Sequence, residues 1–324
     1  MRNLLIAAMT ALCLGAAPAA LCQARVEPIP YGDFEQWIER NIKESGAIGG
    51  KTRTLYEVGP SQTIDGASAY SNLGGSPWAN SNVYCRVMGI TKCSNAVFVE
   101  ERDGGGHCVR MSTIMERVKA IGIINISVMV SGSVFLGEML EPITSTSAPY
   151  SKMEMGVPFA GRPDYLIFDY KLTVPEDGRL VYSSGFGSKK TLEGRDYAEV
   201  FILLQRRWED EQGNLHAMRV GTGRRRLADS TAGWVDGYRL PVWYGDITGR
   251  EGYQEYMGLL PEERSYYARN SQGKMVPVVE EGWDDPDAVP THMVVMASSG
   301  CGVAYTGMEG MTLWIDNVAL GYEK

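Results

Sequence analysis

Tyr165-Leu166-Ile167-Phe168-Asp169-Tyr170-Lys171-Leu172 is the stretch that decides the fold. In an extended chain Leu166, Phe168, Tyr170 and Leu172 point one way, and Tyr165, Ile167, Asp169 and Lys171 the other. That is a strand with one buried face and one face that is polar at one end. Ala198–Trp208 reads differently. Val200, Phe201, Ile202, Leu203 and Leu204 are apolar on both faces before Gln205, Arg206 and Arg207 turn polar. A central strand covered on both sides along part of its length has this pattern. Further strands are predicted at Val83–Met88, Ala96–Glu100, Cys108–Thr113, Ile123–Val130 and Thr291–Ala297. Near the C-terminus Leu313 and Ile315 are out of step with Val318 and Leu320, which predicts a β-bulge or sharp bend at Asp316-Asn317.

Around these strands the chain reads as all-β, a β-sandwich. Its 324 residues are 44% hydrophobic and 22% charged, enough to bury a core, and 38 Gly with 15 Pro favour many turns over long helices. Helical signals are sparse; in Asp33–Ser45, Phe34, Trp37, Ile38 and Ile42 have helix-like spacing between an N-cap at Asp33 and a stop at Gly46. A short strand from Phe34 competes with that reading. Gly249–Pro290 reads as one long irregular insertion before the last strands, with a short helix after Leu260-Pro261. Arg224-Arg225-Arg226 reads as a solvated loop.

Residues 1–24 carry a targeting pattern: Arg2, an apolar run from Leu4 to Ala20, and small residues before cleavage after Ala19 or Ala24. They are expected to be a signal peptide, leaving a single domain over 25–324 in an exported protein of the periplasm, outer-membrane surface or extracellular space. Lipidation at Cys22 is disfavoured by the large Leu21. Cys85, Cys93, Cys108 and Cys301 then remain, an even number that allows two disulfides in three connectivities, or four free thiols. Their spacings match no zinc pattern, so no metal site is expected. A net charge of -8 argues against nucleic acid as a partner.

Signals for catalysis are sparse. His107, His216 and His292 each lie in strand-like sequence, and no Gly-x-Ser-x-Gly elbow is present. Gly104-Gly105-Gly106 reads as a hairpin tip. A glycosidase on a sandwich needs two carboxyl groups about 5.5 Å apart, or about 6.5–9.5 Å for inversion. Glu209-Asp210-Glu211 and Asp284-Asp285 do not alternate along one strand face as such a pair would, and Glu211-Gln212-Gly213-Asn214 reads as a hairpin turn. Sugar binding asks for less: flat rings with planar polar groups beside them. Seven Trp and 17 Tyr supply the rings. Trp208 beside Arg206 at the polar end of a central strand, and Trp243-Tyr244 beside Pro241, are the residues expected to bind a ligand. Trp78 and Trp283 lie in loop-like sequence. The ordinary alternative for each is core or edge packing. Asp316-Asn317 and Asp284-Asp285-Pro286-Asp287 could offer oxygens to a structural calcium, although nothing resembles the twelve-residue calcium loop, and no other cofactor is expected.

Several strings occur in an order that resembles one family. They are Phe34-Glu35-Gln36-Trp37, Glu44-Ser45, Gly49-Gly50 and Ser76-Pro77-Trp78-Ala79-Asn80-Ser81-Asn82. Further on come Gly156-Val157-Pro158-Phe159, Arg162-Pro163, Phe168-Asp169-Tyr170-Lys171, Gln205 to Asp210, and Trp314-Ile315-Asp316-Asn317-Val318. The chain is identified by them as similar to the putative carbohydrate metabolism domain family, exported or envelope proteins of Bacteroides-type bacteria. The resemblance implies a jelly-roll sandwich like that of carbohydrate-binding modules and some glycan hydrolases, and it hands down no catalytic set. The expectation is a carbohydrate-binding envelope protein, leaning non-catalytic, that takes part in glycan capture or metabolism beside periplasmic or outer-membrane glycan-handling proteins. The alternatives are a jelly-roll glycoside hydrolase with paired carboxylates, and a surface structural or adhesion protein with a protein partner.

Overall fold

Tyr165–Thr173 forms a strand in the computed structural model of the protein, with Leu166, Phe168 and Leu172 sealed in the main core as their alternation predicts. The structure describes residues 25–71, 75–87, 89–120, 124–145, 147–185, 187 and 189–323. The leader expected over 1–24, with Cys22, and the strand ends expected at Met88 and Ile123 lie outside the described residues. Tyr165–Thr173 pairs with Thr312–Tyr322 on one side and Val235–Pro241 on the other. Thr312–Tyr322 in turn pairs with His107–Ala120, which carries Val97–Glu101 and Ile124–Ser131. Together with Arg25–Pro28 and Ser184–Gly185 these make an eight-stranded sheet.

The expected bulge is present. Ile167 pairs with Ala319 but Asp169 with Asp316, so Thr312–Tyr322 carries one extra residue there. Asn317 takes it up in the left-handed region, φ 51°, a conformation that asparagine tolerates better than most residues.

A second, ten-stranded sheet is centred on Ala198–Glu209, which lies between Leu215–Leu227 and His292–Ser298. Ala198, Val200, Ile202 and Leu204 join the main core between the sheets, while Phe201 and Leu203 join a separate core with Phe135, Met155 and Val294 on the other side. Both faces are covered, as the continuous apolar run predicts. The second core exists because this sheet curls on itself. Ser133–Met139 pairs with both His292–Ser298 and Met153–Met155, and Met153–Met155 pairs with Tyr267–Arg269. Tyr267–Arg269 pairs with Met275–Trp283, which runs parallel to Leu215–Leu227 and closes the ring. Gly137 sits where two of these backbones cross: a Cβ there would lie 1.9 Å from the carbonyl oxygen of Glu154, and its φ is +146°.

Four expectations need correction. Asp33–Ser45 is not a helix; the competing strand forms, over Trp37–Lys43 and not from Phe34, and pairs with Thr52–Val58 and Gln62–Asp65. Its period of two was hidden because Arg40 is buried between Ile38 and Ile42, neutralised by Glu57 and Glu141. Gly249–Pro290 is not irregular throughout, since it contains Tyr267–Arg269 and the nine-residue strand Met275–Trp283. Arg224-Arg225-Arg226 belongs to the strand Leu215–Leu227, not to a loop. Trp78 and Trp283 are in strands, not loops, and Trp78 is 1% exposed, its indole N–H donating to the carbonyl of Pro30. The four cysteines are free thiols, and burial pushes each up, Cys93 to about 11 and Cys85, Cys108 and Cys301 to about 12.

Candidate functional site

The curled sheet presents an open cleft of about 520 Å³ on the side away from the main core. Its floor is two rows of directly paired residues across three strands. Ser298, Glu199 and Arg226 form one row, and Met296, Phe201 and Arg224 the next. In an antiparallel pair such partners stand side by side, so their side chains interact. Arg224 donates from Nε and Nη2 to the two oxygens of Glu199, at 3.1 and 2.9 Å, and Arg226 donates from Nε to Oε1 at 3.1 Å. This bidentate grip holds Arg224 firmly charged: burial opposes the charge, but Glu199 outweighs it and raises the pKa. The Arg224 guanidinium also lies 5.1 Å from the Phe201 ring, and that of Arg226 lies 4.5 Å from Tyr256.

Tyrosines make the walls. Tyr266 stacks on Phe201 at 5.9 Å and 15°, and burial pushes its hydroxyl up to about 12. Tyr150, on the short 3-10 turn Pro149–Lys152, accepts a hydrogen bond at its hydroxyl from the backbone of Ala304. That bond ties the turn to the loop that carries Tyr305, itself in the left-handed region at φ 65°. The loop is anchored from beneath, where the Asp196 carboxylate accepts from the backbone N–H of Cys301 and Tyr197. Burial raises the pKa of Asp196. The cleft is not closed at its ends. Ser81, Val130, Pro149 and Tyr305 also line an adjoining hollow of about 770 Å³ with mostly apolar walls, and Tyr150 and Arg264 also line another of about 600 Å³. A groove of this form suits a chain-like ligand, with rings to stack against and fixed polar groups on the floor.

None of the four residues expected from sequence lies on this cleft. Trp208 is 40% exposed and stacks on His216 at 5.5 Å. Arg206 donates to both carboxylate oxygens of Asp284, at 2.7 and 3.1 Å. Trp243 is half-buried beside Arg250, and Tyr244 donates its hydroxyl to the carbonyl of Pro163 under the guanidinium of Arg162. The structure does not bring the two pairs together. Trp208 pairs with His216 and Trp243 with Thr222, roughly 20 Å apart along one strand at about 3.3 Å per residue.

The acidic residues weighed from sequence are engaged locally. Asp210 caps the hairpin by accepting from the backbones of Gln212 and Asn214, and Glu209 accepts from Ser271. The oxygens of Asp316 are directed at Arg102 and Asn317, and Arg102 also binds Asp169. Among the described residues no three His, Cys, Asp or Glu side chains converge as a metal site would.

With this geometry established, the sequence comparison places the chain. Residues 44–229 match the model of the putative carbohydrate metabolism domain, and the chain belongs to that family. The match takes in Glu199, Arg224 and Arg226 but ends before Thr312–Tyr322, which sits at the centre of the eight-stranded sheet. No curated protein matches the chain. Similar solved structures include a putative glycoside hydrolase from Bacteroides thetaiotaomicron VPI-5482, at 18% identity over 84% of this chain and 81% of that one, TM-score 0.45. Another is a putative glycoside hydrolase from Bacteroides vulgatus ATCC 8482, at 14% identity over 91% and 94%, TM-score 0.44. At these values the two similarities bear on neither activity nor ligand.

Proposed function

We propose that this protein binds a glycan chain in the tyrosine-walled cleft, as an exported, non-catalytic component of glycan capture. The observation that carries the reading is the cleft floor: Glu199, Arg224 and Phe201 are fixed by one another, with stacking rings around them. Such pre-set groups bind a sugar face without paying to be ordered first. Membership of a carbohydrate metabolism family points to the same ligand class. Binding is favoured over hydrolysis by the state of Glu199. A retaining or inverting glycosidase needs two carboxyl groups free to move protons or attack, and both oxygens of Glu199 accept from arginine. Trp208 is proposed as a separate sugar-stacking platform, because it is the aromatic among the large apolar side chains left exposed in the described residues. The leader-like sequence at residues 1–24 supports a place in the cell envelope, beside other glycan-handling proteins.

The test is a glycan array on the purified chain, with reducing-sugar release measured on every glycan that binds. Binding without release is expected. Release would overturn the non-catalytic reading, and silence in both assays would overturn the glycan reading in favour of a protein partner.

A further inference from the structure

We propose that the glycan is acidic, a chain bearing carboxylate or sulfate groups. This rests on the cleft being the glycan site. The chain as a whole has a net charge of -8, yet the cleft is lined by Arg224, Arg226 and Arg264 against Glu199 and Glu255. The cleft therefore has a net positive charge inside a negative molecule, a local field that favours an anion over a neutral chain.

The arginines differ in how much they have left to offer. Arg224 is spent on Glu199 in a bidentate pair. Arg226 gives Glu199 only its Nε, and its side chain is 26% exposed. Neither of its terminal nitrogens donates to any described residue. Arg264 is exposed, and its guanidinium makes no ion pair among the described residues. Glu199 on one edge and the Tyr256 ring at 4.5 Å hold the Arg226 plane in place. Its two terminal nitrogens, not used by Glu199, are a pair of parallel N–H donors on a residue that lines the cleft. That fork matches the two oxygens of a carboxylate or sulfate, and matches a neutral hydroxyl poorly. The stacking walls and the anion-directed fork lie in one cleft, so a sugar ring on tyrosine can place its acidic substituent on Arg226.

The experiment is calorimetric titration of the purified chain with oligogalacturonate, its fully methyl-esterified counterpart, a chondroitin sulfate oligosaccharide and a neutral cello-oligosaccharide. The acid and its ester share a skeleton and differ in charge. Binding of at least one anionic chain is expected to be roughly tenfold or more tighter than that of the ester and the neutral chain, as expected of a charge-assisted pair. It should also weaken as salt is raised. The uronate and sulfate arms tell the two anion sources apart. Arg226→Gln should remove most of the preference, and Arg264→Gln, at an exposed position, should reduce it without disturbing the fold. Equal binding of both anionic chains, the ester and the neutral chain would overturn the acidic assignment and leave the glycan reading in place. An anionic preference that survives in both variants would overturn the role of these arginines. Failure to bind any of these chains, together with a silent array, would overturn the glycan reading itself.

Discussion

Arg219 and Glu280 meet inside the ring of strands with neither side chain exposed, Nε to Oε1 at 2.6 Å. Glu280 also accepts from Gln205 and from the backbone of Leu260, so its lone pairs are used. Burial opposes its charge, but Arg219 outweighs burial and keeps the carboxyl below its ordinary range. The pair therefore contributes stability above the unfolded pKa, and that contribution is lost as pH falls through the folded one. Glu280→Gln strands a buried cation and should cost about 3–5 kcal/mol in urea unfolding, whereas replacing both partners with apolar residues of similar volume should cost far less. A cost below about 1 kcal/mol for Glu280→Gln would refute this account of the pair. His216 has the opposite sign. Hydrogen bonds to Glu281 and Asp210 raise its pKa above 6.5, so its charged form supports the fold at low pH and is lost as pH rises through the raised value. The ring stacks on Trp208, and an imidazolium quenches indole fluorescence. Trp208 emission should therefore rise with pH with a midpoint above 6.5, and His216→Gln should abolish the transition. A midpoint at or below 6.5 would contradict the arrangement.

Two of the register shifts, at Asn317 and at Val220, set the core and the cleft in register. At Asn317 the extra residue keeps Leu313, Ile315, Val318 and Leu320 all in the main core. Asn317→Val puts a β-branched residue at φ 51° and should destabilise by about 1–3 kcal/mol. Asn317→Gly, which accepts that conformation, should lose less; equal losses in thermal or urea unfolding would show that backbone strain is not the cause. The phase change that reveals this bulge is visible in the sequence because both sides of it are apolar. The second bulge was not legible. Counting outward from Glu209 opposite Leu215 sets Glu199 opposite Arg225, but Leu204 pairs with Gly221 and Gln205 with Arg219, and the residue skipped at Val220 moves the partner to Arg226. The hairpin turn is readable, but the arginine triplet reads as a solvated loop, so its pairing with Glu199 leaves no record in the sequence. The strand Met275–Trp283 is hard to read from sequence because Pro277 and Glu280-Glu281 interrupt its apolar residues, although Glu280 points inward to Arg219.

For the molecule as a whole, alternation gave the sandwich, since each long strand records its buried faces in its own residues. Ring closure leaves no such record. It depends on the parallel pairing of Leu215–Leu227 with Met275–Trp283 and on the single parallel contact of Glu154 with Tyr267, far apart in sequence. The cleft is a product of that closure, so nothing in the local sequence marks Tyr150, Tyr256 and Tyr266 as its walls. These tyrosines come from short 3-10 turns and connecting segments that become walls once the ring is formed. The most direct measurement is therefore the affinity of the wild-type chain, Tyr256→Ala and Trp208→Ala for the best glycan from the array. With the cleft as the binding site, Tyr256→Ala should weaken binding roughly tenfold or more, the scale of losing one buried ring contact, and Trp208→Ala should leave most of it. Loss of binding in Trp208→Ala with Tyr256→Ala unaffected would contradict the assignment of the cleft.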